Sequence, residues 1–103
     1  MISYDVARQL GKTYIGALNT GEAEFAALFA PDATVTVNGR EGTLDDVRSA
    51  FPPGRSSFRG AKLEPPHVVF TVRVKEGQEV VDRPHRLDIA DDGTILALEA
   101  DAP

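Results

Sequence analysis

The stretch VVFTVRVKEGQEVVDRPHRLDIADDGTILALEA, residues 68–100, decides the fold of this chain. Glu76-Gly77 and Asp91-Asp92-Gly93 are compact hairpin signals, and they cut it into three runs, 68–75, 78–90 and 94–100. Three strands joined by tight turns make an antiparallel meander. Because a strand sends alternate side chains to opposite faces, the facing of each run follows from its apolar residues. Phe70, Val72 and Val74 share one face of the first run and Arg73 and Lys75 the other, so the apolar face is the inner one. In the second run Leu87 and Ile89 are the core-like pair, and their parity brings Val81, Arg83 and His85 inward while Asp82, Arg86 and Asp88 point out. In the third, the same argument places Leu96, Leu98 and Ala100 inside and Ile95, Ala97 and Glu99 outside.

Upstream of the meander the period changes. Apolar residues at Val6, Leu10, Tyr14, Ala17 and Leu18 form a helical stripe, ended at Asn19-Thr20-Gly21, where Gly21 is free to take the left-handed cap conformation. A second helix is expected over 22–29, with Phe25, Leu28 and Phe29 on one side, stopped by Pro31-Asp32. Residues 33–38 alternate as a half-buried strand, Val35 and Val37 inward and Thr34 and Thr36 outward, before a turn at Asn38-Gly39. Thr43 with Asp46 three residues on is a capping-box start for a third helix that carries Leu44, Val47 and Phe51 inward and breaks at Pro52-Pro53-Gly54. Residues 55–60 read as loop. Helices first and a sheet afterwards on one core is an α+β layer arrangement, with the helices on one sheet face and the other left to solvent or a partner.

Composition bounds the function. A chain of 103 residues has room for one domain, 1–103, and 42% apolar content suffices for its core without crosslinks. With no Cys there is no disulfide, thiol nucleophile or Cys-based zinc site. Eleven Lys and Arg against 16 Asp and Glu give a net charge of −5, which disfavours nucleic acid, and no apolar run is long enough for a membrane span. The N-terminal residues do not read as a secretory leader, so a cytoplasmic protein is expected. No phosphate-binding loop or nucleophile elbow is present, and His67 and His85 have opposite facings, which argues against a two-His metal site. His67, beside Pro65-Pro66, is expected at an exposed loop or strand end.

Four strings in order along the chain resemble the nuclear transport factor 2-like superfamily, in its steroid delta-isomerase and SnoaL-like polyketide cyclase branch. They are Tyr14-Ile15-Gly16-Ala17-Leu18-Asn19-Thr20-Gly21-Glu22, Leu28-Phe29-Ala30-Pro31-Asp32-Ala33-Thr34-Val35, Gly42-Thr43-Leu44-Asp45-Asp46-Val47, and Arg86-Leu87-Asp88-Ile89 with Asp92-Gly93-Thr94-Ile95. The resemblance implies a cone-shaped curved sheet closed by helices around a pocket for a small apolar ligand. Its walls would be Val35, Val37, Phe51, Phe70, Val72, Leu87 and Leu98, with Tyr14, His85 and Arg83 as polar groups. In the related isomerases a helix-one Tyr and a protonated Asp bind the substrate oxyanion while a first-strand Asp moves the proton. Tyr14 and His85 match the first two positions, and Val37, which cannot carry a proton, falls on the third.

Two functional readings follow. In one, His85 is a general acid or base and Tyr14 binds the oxygen of an apolar cyclic or polyketide-like substrate, without metal or cofactor. In the other, Tyr14 and His85 satisfy each other in a filled core, and the chain is a binding or assembly module. Arg83 either captures an anionic substrate group or stands at the rim in an ion pair. The outward face, with Val69, Thr71, Arg73, Asp82, Arg86, Asp88, Ile95 and Ala97, would suit a two-fold homodimer interface. The last strand lies so near Pro103 that no C-terminal helix is expected over the cone, which implies a smaller or more open pocket.

Overall fold

Ser3 starts the first helix, α1 (Tyr4–Thr20): its side chain accepts the Val6 backbone N–H at 3.2 Å, satisfying a donor that the first turn leaves free. The computed structural model describes residues 3–103. α2 (Glu22–Ala26) follows at once, then β1 (Phe29–Val37), β2 (Arg40–Glu41), α3 (Leu44–Ala50), β3 (Ser56–Glu64), β4 (His67–Glu76), β5 (Glu79–Ile89) and β6 (Ile95–Ala100). The six strands form one sheet in the order β2-β1-β6-β5-β4-β3. Every pairing is antiparallel except β1 with β6, which run parallel with Val35 opposite Leu98 and Val37 opposite Ala100. This is the α+β arrangement expected, a curved, unclosed sheet with helices packed on one face.

The meander forms as its alternation requires. Val68, Phe70, Val72 and Val74 are buried along β4, and His85 and Leu87 along β5. Gly77 and Gly93 take φ of 65° and 90° in the two turns, a region that disfavours side chains. Asn38 and Gly39, at φ 52° and 78°, make the β1–β2 turn with the backbone twist that a two-residue hairpin prefers. Pro84 sits inside β5 without breaking the sheet. β6 reaches only as far as His85 through Ala100, so Pro84 is at the open end of that ladder, and its carbonyl accepts the Asp101 N–H at 3.1 Å. The capping box of α3 is complete: Thr43 accepts from Asp46 N–H, and the Asp46 carboxylate accepts from Thr43 N–H at 2.8 Å.

Five expectations are corrected. Residues 55–60 are not loop; β3 begins at Ser56 and forms the sheet edge against β4. Its Phe58 and Leu63 are only partly buried and Gly60 falls at a register shift, so the period-two signal is broken. The second helix ends at Ala26, and Phe29, Ala30 and Pro31 belong to β1, where Pro31 is tolerated near the start of a strand whose pairing with β6 is interrupted between Phe29 and Thr34. Gly21 is extended, at φ 166° and ψ 175°, because α2 follows without a left-handed reversal. In α1 the buried stripe runs through Ala7, Gly11, Tyr14, Ile15 and Leu18, leaving Val6 54% exposed. Finally, Ile95 is buried and Leu96 is 43% exposed, the reverse of the expected facing, because a register shift between Asp88 and Ile89 changes the parity before Ala97.

Gly11 fixes how the helix lies on the sheet. A Cβ there would stand 2.1 Å from Phe58 Cε1, so only glycine lets α1 approach β3 this closely. Phe58 is in turn set against Phe70 with ring centroids 5.8 Å apart. Farther along, the Asn19 side chain accepts the Gly54 N–H at 3.0 Å, tying the end of α1 to the loop after α3. These contacts hold Tyr14 over the middle of the sheet.

Candidate functional site

Tyr14 and His85 meet in the interior. Tyr14 sits three residues beyond Gly11 on α1, and His85 projects from β5 opposite Phe70 on one side and Ala100 on the other. The Tyr14 Oη and His85 Nδ1 atoms are 2.9 Å apart, and both residues are fully buried. Aromatic rings enclose the pair. Phe51 lies 4.7 Å from the imidazole, and Phe25 and Phe70 lie 5.2 and 5.7 Å from the Tyr14 ring, all centroid to centroid. Sequence reasoning placed Phe25 in the core but missed it as part of this cage. Its three-residue spacing from Leu28 was read as a longer helix, whereas the chain turns into β1 there.

Burial settles the protonation states. Desolvation pushes the His85 pKa down to about 3 and raises that of the Tyr14 hydroxyl, so at neutral pH both are uncharged. The tautomer follows from counting donors. If Tyr14 donates to Nδ1, one group is left over, the His85 Nε2–H. If Nδ1–H donated to Tyr14 instead, both the phenolic hydrogen and the Nε2 lone pair would lack partners. The first arrangement leaves fewer buried groups unpaired and is the stable one. His85 Nε2 has no hydrogen-bond partner. The imidazole therefore presents a donor, and its only basic nitrogen is occupied by Tyr14.

The cavity implied by the family resemblance is closed here. Tyr14, Phe51, Phe70, Val72, Leu87 and His85 have no accessible surface, which leaves no space for a water molecule against any of them. Val35 and Leu98 are buried beside them, and Val37 is partly buried against the same core. Arg83 is held away from the pair. Its guanidinium makes a two-pronged ion pair with Glu76, at 2.8 and 2.9 Å, and holds the Glu76 carboxyl below its usual range. This is the rim arrangement among the alternatives open from the sequence. His67, half-buried at the start of β4, pairs through Nδ1 with the Asp88 carboxylate. Among the described residues no three His, Asp or Glu side chains cluster as metal ligands would, and no helix is long and apolar enough to cross a membrane.

No family model matches this sequence, and none of the curated proteins does. Solved structures do. A SnoaL-like protein of unknown function from Burkholderia thailandensis superposes with a TM-score of 0.75 at 14% identity, over 99% of this chain and 98% of that one. The chain has the nuclear transport factor 2-like fold. A protein described as a candidate ketosteroid isomerase from Kribbella flavida gives 0.72 at 22% identity, over 97% of this chain and 79% of its own. A de novo designed protein of the same fold gives 0.71 at 16%, over 99% and 88%. Likeness at these identities reports the fold and assigns no activity.

Proposed function

We propose that this domain is a small-molecule-binding protein of the SnoaL-like and ketosteroid isomerase-like type, which holds an apolar, hydrogen-bond-accepting ligand against His85 without using His85 as a base. The observation that carries the reading is the unpaired Nε2–H of a fully buried imidazole whose other nitrogen is engaged by Tyr14. A buried donor without a partner costs about 1–3 kcal/mol, and a ligand carbonyl or ether oxygen would offset that cost. Proton transfer is disfavoured on two counts. His85 resists protonation, and the resemblance to the isomerases puts Val37 at the position of their first-strand base. Entry requires displacement of Phe51, the ring nearest the imidazole, which caps the seven-residue α3 just before Pro52-Pro53.

Acetylnaphthalene and ethylnaphthalene, alike in size and different in the carbonyl, test this. Titration calorimetry is expected to show the ketone bound about three- to tenfold more tightly, the value of one neutral hydrogen bond. In the paired variant Tyr14→Phe/His85→Leu, which leaves no lone hydroxyl, the preference is expected to vanish. Equal binding of the two compounds by the parent, or a preference that survives in the variant, would overturn the reading.

A second reading concerns assembly. The sheet face away from the helices is uncovered, and it is dished by a cleft of about 450 Å3 lined by Thr36, Asn38, Val69, Pro84, Arg86 and Glu99. A mixed polar and apolar face with charges of both signs supports a two-fold homodimer through that surface.

A further inference from the structure

One apolar residue of α1 stays outside the buried stripe: Val6, next to the fully buried Ala7, is 54% exposed. It forms one wall of a half-open cleft of about 950 Å3, lined also by Leu63, Pro65 and Pro66 of the β3–β4 hairpin and by Ile89 and Ala90 at the end of β5. This is a different place from the Tyr14–His85 pair, whose residues do not line it. The volume is that of a small-molecule site, and the lining is mostly aliphatic.

Among the described residues no Lys or Arg lines this cleft. His67 is occupied by Asp88, and Asp91, at the cleft edge, is exposed and makes no ion pair with the described residues. Asp92, next in the turn, is engaged by Thr94 through its backbone N–H at 3.0 Å and its hydroxyl at 2.7 Å, so it is not the free acid. An aliphatic hollow edged by an unpaired carboxylate fits a small amphiphile with an apolar body and a cationic head, and it repels an anionic one.

We infer that the cleft between the start of α1 and the β3–β4 and β5–β6 turns is a binding site for small apolar amines, with Asp91 receiving the ammonium group. The inference is independent of the interior ligand.

The probes are adamantylamine and adamantane carboxylate, rigid bodies of one size with opposite charge. In a titration of the 15N-labelled chain followed by amide NMR, the amine is expected to shift Ser3, Val6, Leu63, His67 and Ala90–Gly93 and to bind about three- to fivefold more tightly than the carboxylate, as one exposed ion pair allows. Asp91→Asn is expected to bring the two probes within about twofold of each other, and the uncharged Val6→Ser to weaken the apolar contact for both. The Tyr14→Phe/His85→Leu variant is expected to bind the amine as the parent does, which separates this site from the interior one. Equal affinities in the parent, a preference untouched by Asp91→Asn, shifts centred on Tyr14 and His85, or concentration-dependent self-association in place of probe binding would each overturn the proposal.

Discussion

At the scale of single residues the interior is defined by one hydroxyl and one imidazole inside an otherwise apolar shell. The pair has a calculable cost in acid. His85 binds a proton near 6.5 when unfolded and only at about 3 in the native state, so the unfolded chain holds the extra proton between those values. Stability is therefore full above about pH 6.5 and falls as pH drops toward 3, by roughly 1.4 kcal/mol per pH unit from this group. Urea titrations at a series of pH values should show that slope in the parent and its loss in the Tyr14→Phe/His85→Leu variant at pH values above those at which the carboxylates titrate. Mutating one partner is a separate test. Tyr14→Phe leaves both imidazole nitrogens unpaired and is expected to cost about 1–3 kcal/mol, whereas the paired variant is expected to fall close to the parent or above it. A paired variant as stable as the parent would show that packing alone does not need these two polar groups.

Elements depend on closer details of geometry. Gly11→Ala improves helix propensity by about 1 kcal/mol, yet the added carbon meets the Phe58 ring, so a net destabilisation of about 1–3 kcal/mol is expected in thermal unfolding. Thr43→Ala removes one half of the α3 capping box and is expected to cost about 1 kcal/mol in the same measurement. Much of the element pattern was legible in the sequence. β4, β5 and the inward facing of His85 followed from alternation, and the third helix followed from Thr43 and Asp46. β3 was hidden because Ser57, Arg59 and Lys62 face solvent while Phe58 and Leu63 are only partly covered, so no clean alternation marks an edge strand. The facing of Ile95 was misread because one irregular residue in the ladder reverses every side chain before it, and that irregularity lies in backbone register, not in residue type. Tyr14 and His85 were legible as inward polar groups. Their direct bond and the closed cage around them depend on how near α1 lies to β3, which Gly11 sets and no periodicity reports.

For the molecule as a whole, assembly through the open sheet face is the property most easily measured. Sedimentation equilibrium at micromolar concentration is expected to give a dimer, with Arg86→Glu shifting it toward monomer by placing like charges against Glu99 and its symmetry mate; a monomer at all concentrations would remove the assembly reading. The pairing of β1 with β6 has a different consequence, for the order of events during synthesis. Residues 29–37 find their parallel partner only in residues 95–100, so β1 waits until every other element of the sheet has been made. As translation proceeds, α1 and α2 emerge with an apolar side that nothing covers, and the meander that would cover it arrives last. Such long-range closure slows folding toward milliseconds or longer, and the nascent domain stays open to chaperones until β6 has left the ribosome.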